Sequence, residues 1–405
     1  MTHDFISLAI IALIAALAPL IANLIPKKPI PETVLLLIGG AILGPSFLNQ
    51  IWLDESVLFI SDLGTAMLFL LAGLEINPKI ITGSEGKRGL ITWILTLLIA
   101  LSIMLGISAL GINAPLLESI AVAIALTTTA IGALMPILKE RGILEMRFGQ
   151  SVLAYGTWGE LGPIIAMALL LSTRSPWTTI IVLCVFAAIA ILLAVLGQRA
   201  AKAERMLFKI LSAGRHTTSQ TFVRVTMLLL IALVAASSLF ELDIVLGAFA
   251  AGFILRYIIP ENDHALELKL NAIGYGFLIP LFFVVSGAKI DISSVASQPL
   301  LLIGFVAALL LVRAVPIFVA LRTDAAPDVK ALGARNHASV AFYCTTALPL
   351  IVAVTAVAVD ADVMSDSLAS VFISAGALTV LIMPLLANIA YQAPSEQMPS
   401  EYKER

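Results

Sequence analysis

The sequence predicts an all-α polytopic membrane protein of about thirteen transmembrane helices. Three observations carry that reading. Of the 405 residues 60% are hydrophobic and only 12% charged, and the mean hydropathy is +1.05, which belongs to neither a soluble core nor a disordered chain. The apolar residues gather into runs near the length that a hydrocarbon core requires. Three stretches of the first half also resemble three of the second half, in the same order.

The runs fall at 5–25, 30–48, 57–76, 89–112, 117–138, 148–171, 177–198, 222–240, 243–259, 272–290, 299–321, 336–358 and 367–390. The first is a retained helix, because its earliest charges are Asp4, Lys27 and Lys28, and neither a basic n-region nor a small-residue cleavage site is present. An odd count puts the termini on opposite sides. With the N-terminus outside, 21 of the 24 Lys and Arg fall on inner segments and inner helix ends, and only Arg174 and Lys289 fall outside. The remaining one, Arg313, lies within a run. The positive-inside rule therefore gives an outside N-terminus and a cytoplasmic C-terminus, in what we expect to be a bacterial inner membrane.

"GGAILGPSF" at 39–47 pairs with "AGFILRYII" at 251–259, and "LGTAMLFLLAGLEIN" at 63–77 with "GYGFLIPLFFVVSGAKID" at 274–291, where Gly73 meets Gly287. "LTTTAIGALMPI" at 126–137 pairs with "YCTTALPLIVAV" at 343–354, where Thr128 meets Thr345. Paired runs are seven spans apart, an odd number, so the two copies, approximately 30–171 and 243–390, run in opposite directions. That is the inverted-repeat plan of many secondary transporters.

The last pair places Thr127, Thr128 and Thr129 in one run and Cys344, Thr345 and Thr346 in its counterpart, each followed by a proline, Pro136 or Pro349. Proline removes a backbone donor and frees a carbonyl. Helices broken in this way coordinate ions at the bilayer midplane. The plainer alternative is that the threonines bond back to their own helix and the prolines only kink it.

Two charges sit near the centre of apolar runs, Glu160 and Arg313. Each costs about 2.5 to 3.5 kcal/mol to insert, so each implies a partner or a wet cavity. One reading makes them a structural ion pair. The other makes Glu160 the site of a proton or monovalent cation, with Arg313 tuning its affinity or stabilising one state. One carboxylate would then carry either ion across, an electroneutral exchange, with the hydroxyls of Thr127, Thr128 and Thr129 as further ligands for a hard cation. Glu75 and Lys289 lie at helix ends, where snorkelling or local salt bridges account for them.

The net charge of −2 and the lack of a basic cluster interleaved with aromatics exclude nucleic acid as a natural partner. Cys184 and Cys344 lie within apolar runs and the four histidines are scattered, which suggests neither disulfides nor a metal centre. No set of nucleophile, base and orienting group indicates an enzyme, and no cofactor is expected. Membrane lipid is the expected surrounding. A cation channel, or a sodium-coupled symporter of an organic anion held by Arg313, would also suit a midplane charge.

Through "LGTAMLFLLAGLEIN", "ALTTTAIGALMPILKERGIL" and "IPLFFVVSGAKIDI", nearly the whole chain resembles the monovalent cation:proton antiporter superfamily, in the branch of Kef-type potassium efflux systems and bacterial sodium/proton antiporters. The resemblance implies Na+ or K+ exchanged for H+ by an elevator-like homodimer with crossed, broken helices. It matches the family's acidic pair, Asn-Asp or Gln-Asp to Gly159 and Glu160, its later basic residue to Arg313, and its crossing-helix motif to Thr127–Thr129. The cytosolic nucleotide-binding domain that Kef-type members often add is not expected within these 405 residues, which read as a single membrane transporter domain.

Overall fold

The computed structural model describes residues 2–24, 31–76, 83–109, 115–171, 220–240, 242–258 and 264–392, with scattered positions between 177 and 195. Within them every regular element is helical. Nine stretches are long and apolar enough to cross a membrane, and three shorter apolar helices join them. The predicted run at 177–198 lies largely outside the described residues.

The chain opens with α1 (Thr2–Leu24), α2 (Glu32–Leu43), α3 (Glu55–Glu75) and α4 (Ser84–Ala109). Asp54 caps α3 by accepting from the Val57 N–H at 3.0 Å. The run predicted at 117–138 is two half-helices, α5 (Leu116–Ala125) and α6 (Ile131–Glu140). The long α7 (Arg147–Leu170) follows. After α8 (Thr221–Leu239) and α9 (Ile244–Ile258) come α10 (His264–Ile273) and α11 (Ile279–Ala288), joined by a π turn over Gly274–Leu278.

A short α12 (Ile292–Ser297) leads to α13 (Pro299–Leu309) and α14 (Val315–Thr323), joined by a second π turn over Leu310–Ala314. Both π turns have one sequence cause. Pro280 and Pro316 stand in the first turn of α11 and α14, where a proline lacks the N–H and its ring pushes away the carbonyl four residues back, widening the turn before it. A one-turn α15 (Pro327–Ala331) precedes α16 (Gly333–Tyr343) and α17 (Leu348–Asp360), the two halves of the run predicted at 336–358, and α18 (Asp366–Ala390) ends the described chain.

The most buried elements are α3, α7 and the pair α16–α17, whereas α1, α4 and α8 turn most of their surface outward, with Leu24 and Leu239 among the most exposed apolar residues. Glycines set the closest helix contacts in the core. A Cβ on Gly40 or Gly287 would collide with backbone across the α2–α11 contact, and one on Gly73 or Gly252 would do so across the α3–α9 contact.

The two breaks cross and complete each other. Leaving α5, Ala130 is extended at φ −104° and ψ 97°. Its N–H donates to the Thr346 carbonyl at 2.8 Å, and the Thr129 N–H donates to the Gly159 carbonyl at 2.8 Å. Buried backbone freed by each break is thereby satisfied within the protein, as the membrane interior demands. Pro349 is at the start of α17, but Pro136 lies inside α6, beyond the first break. Three consecutive threonines, stiff at χ1 and able to bond back to the preceding turn, end α5 instead.

Candidate functional site

Glu160 is carried by α7 into the crossing. Gly156, Gly159 and Gly162 let neighbours approach on either side of it: a Cβ on Gly156 would stand 3.0 Å from Ile131 Cγ1, and one on Gly162 would overlap the Trp93 ring. Glu160 is 4% exposed. Its carboxylate lies beside the Ile131 N–H in the first turn of α6, while Oε2 is buried without a hydrogen-bond partner. The residue lines a cavity of ≈ 20 Å³ together with Ala130 and Gly132 at the start of α6, Pro349 and Leu350 at the start of α17, Phe69 of α3 and Tyr275 of the first π turn. That space suffices for one water-sized species.

Arg313, in the second π turn, is fully buried. Its Nε and Nη2 donate to Thr129 Oγ1 at 3.2 and 3.0 Å, and Nη2 also donates to the Tyr155 carbonyl at 2.9 Å. The same Thr129 hydroxyl donates to the Cys344 carbonyl. Cys344 is the C-cap of α16, so the guanidinium neutralises the negative end of that half-helix through one hydroxyl.

Glu160 and Arg313 do not form an ion pair, and Glu160 is not among the acceptors of Arg313. Each charge is compensated instead by half-helix ends of the opposite sign: the carboxylate by the N-terminus of α6, with that of α17 on the same cavity, and the guanidinium by the C-terminus of α16. The buried-pair alternative is therefore not what the geometry shows, and Glu160 keeps a free oxygen.

Of the other residues singled out in the sequence, Thr127 and Thr128 donate to the carbonyls of Ile124 and Ala125 at 2.8 and 2.7 Å, and Thr345 to that of Phe342 at 2.6 Å. These hydroxyls serve their own helix ends. Thr129 alone of the three bridges two elements. The Cys344 thiol points at the Val152 carbonyl, 3.7 Å away, and the Thr346 hydroxyl is buried without a partner. Tyr275 was not legible as a site residue, and the signal that could have found it is Pro280 and the wide turn before it. Glu75, half-buried at the end of α3, has its Oε2 buried without a hydrogen-bond partner.

The model of the sodium/hydrogen exchanger, transmembrane, matches residues 10–389. YjbQ of Bacillus subtilis, whose name calls it a Na+/H+ antiporter, is 27% identical over 433 aligned positions that cover 100% of this chain and 66% of YjbQ. The glutathione-regulated potassium-efflux system protein KefC of Shigella sonnei is 30% identical over 282 positions, 66% of this chain and 43% of KefC. The chain thus spans about two thirds of the first relative's length and less than half of the second's. In structure it is similar to a sodium proton antiporter from Methanocaldococcus jannaschii at pH 8, with a TM-score of 0.63 over 96% of this chain and 97% of that one. At 18% identity that likeness concerns the fold.

Proposed function

The chain belongs to the sodium/hydrogen exchanger transmembrane family, and from that premise we propose that it exchanges a monovalent cation, Na+ or K+, for protons by alternating access, with Glu160 as the carboxylate both ions use. The observation that carries the reading is the buried, unpartnered Oε2 of Glu160, a residue that lines a cavity, while Arg313 bonds to Thr129 and the Tyr155 carbonyl. A carboxylate committed to a guanidinium could not release and rebind an ion in each cycle. One that stands beside the N-terminus of a half-helix, with an oxygen left free, can.

The cycle needs only one group. A cation displaces the proton from the Glu160 carboxyl, the loaded site opens to the other side, and a proton displaces the cation there. Net charge moved is zero, so the exchange is electroneutral. The N-termini of α6 and α17 favour the carboxylate whenever it stands bare between the two occupants. Arg313, Thr129 and the Cys344 carbonyl hold the crossing together, and the carbonyls around the breaks supply oxygens suited to a hard cation.

The glycine contacts support an inverted repeat at 30–171 and 243–390. Aligning the copies pairs Gly40 with Gly252 and Gly73 with Gly287, and those four glycines make the α2–α11 and α3–α9 contacts. Symmetry-related helices packed through symmetry-related glycines are what two opposed copies would give. The Lys and Arg distribution favours an outside N-terminus, which puts the ends of α3 and α6 on the inner side. An organic-anion symporter is disfavoured, because the guanidinium it would need is fully buried, gives Nε and Nη2 to Thr129 and the Tyr155 carbonyl, and does not line the cavity of Glu160.

The test is proton movement in proteoliposomes holding a pH-sensitive dye, after pulses of sodium, potassium or lithium salt. Cation-evoked proton movement, lost in Glu160→Gln and insensitive to an imposed voltage, is the expected result. Currents without proton coupling would instead indicate a channel.

A further inference from the structure

We propose that Glu75 is a second ion-binding carboxylate of the route, set on the inner side of Glu160 and acting with the Tyr275 hydroxyl as the relay between Glu160 and the cytoplasm. The inference deepens the exchange reading and rests on it.

Glu75 ends α3, yet its Oε2 is buried and has no hydrogen-bond partner. A buried carboxylate oxygen left without a donor is costly, so a merely structural residue would be expected to find one. Gly132 explains the opening beside it. A Cβ at Gly132 would stand 3.6 Å from Glu75 Oε2 and 3.6 Å from the Tyr275 hydroxyl, so the two oxygens flank one point left clear by the glycine. Gly132 and Tyr275 also line the cavity of Glu160.

The chain of oxygens therefore runs from Glu160 Oε2, across the cavity to the Tyr275 hydroxyl, and on to Glu75. Glu75 and Glu160 lie within electrostatic reach of each other, and Glu75 within that of Lys139 at the exposed end of α6. An ion leaving Glu160 toward the inner side meets a second carboxylate before it meets water. A neutral hydroxyl between the two can accept from a proton donor, donate in turn, or lend its oxygen to a cation.

Three variants separate this from a structural role, with sodium or potassium salt presented to one face of oriented proteoliposomes at a time. Glu75→Gln should raise the KM for cation at the inner face by about fivefold or more and leave the outer-face KM within about twofold. Tyr275→Phe should move the same face in the same direction. Gly132→Ala fits at ordinary van der Waals distance, so it should fold as the native chain does while slowing exchange. Equal KM values at both faces in Glu75→Gln would overturn the proposal.

A readout independent of transport is labelling by dicyclohexylcarbodiimide, located by mass spectrometry. Label should enter both Glu75 and Glu160, and sodium or potassium should slow it at both, including at Glu75 in Glu160→Gln. Protection confined to Glu160 would overturn the relay and leave the exchange reading intact. Protection at both residues in a native chain that exchanges nothing would overturn the exchange reading and retain Glu75 as a cation site.

Discussion

The Arg313 guanidinium fills the space that a side chain at Gly159 would occupy. A Cβ there would stand 2.7 Å from the Thr129 Cβ and closer still to Arg313 Nη2 and Thr129 Oγ1. Gly159→Ala should therefore push Arg313 off Thr129 and cost about 1 to 3 kcal/mol of stability, with loss of exchange. Because the two residues compete for one volume, Gly159→Ala combined with Arg313→Ala should cost less than the sum of the single changes, by about 1 kcal/mol. Thermal unfolding in detergent of the four chains of the cycle checks this, and additivity would contradict it.

Thr129 and its neighbours differ in role although they are identical in type. Thr129→Val leaves both Arg313 and the Cys344 carbonyl short of a partner, so a loss on the order of 3 kcal/mol and a large fall in exchange rate are expected. Thr127→Val and Thr128→Val remove only a bond within one helix end, at about 1 kcal/mol or less, and should leave the exchange rate within about twofold. Transport assays of the three variants at matched insertion distinguish the roles.

Arg313→Lys keeps the charge but not the fork. A lysine cannot give two bonds to Thr129 and a third to the Tyr155 carbonyl from one planar group. Exchange should persist at a reduced rate and stability should fall by about 1 to 2 kcal/mol, whereas Arg313→Ala, which leaves the C-terminus of α16 without its cation, should lose more. Initial exchange rates and melting temperatures of the two variants check the order.

Asp243 stands before α9 and accepts from the Val245 N–H at 2.7 Å. Burial, opposed by that bond and aided by the nearby charges of Asp360 and Asp62, pushes its carboxyl up to about 6 from the usual 3.8. Between those values the folded protein holds a proton that the unfolded chain has released, so stability falls as pH rises through the interval and then levels, by on the order of 2 to 3 kcal/mol. Asp243→Asn retains the acceptor for Val245 without the charge. It should flatten the melting temperature over that window and raise it near pH 7.

Composition and hydropathy were enough for the class of fold, and the paired threonine-proline stretches for the crossing of two half-helices. Glu160 and Arg313 were legible because charges stand out in apolar runs. Their relationship was not. Position along a run gives depth in the membrane but not which way a side chain faces, so two charges at one depth left a pair and an ion site both open, whereas in the structure Glu160 faces the start of α6 and Arg313 lies across Gly159. The first break falls at Thr127–Thr129 and not at Pro136, where hydroxyls bond back to the preceding turn in competition with the helix's own hydrogen bonds. Glu75 read as snorkelling or salt-bridged because it ends a run, but its Oε2 lies buried beside Gly132 at the start of a half-helix.

The most direct test of a single carboxylate shared by both ions is the KM for the cation measured across pH in proteoliposomes, with Glu160→Asp and Glu160→Gln beside the native chain. Competition at one site predicts a cation KM that rises about tenfold per unit fall in pH at the acid end, an unchanged maximal rate, a displaced profile in Glu160→Asp and no exchange in Glu160→Gln. A cation KM independent of pH, or exchange that survives Glu160→Gln, would contradict the account.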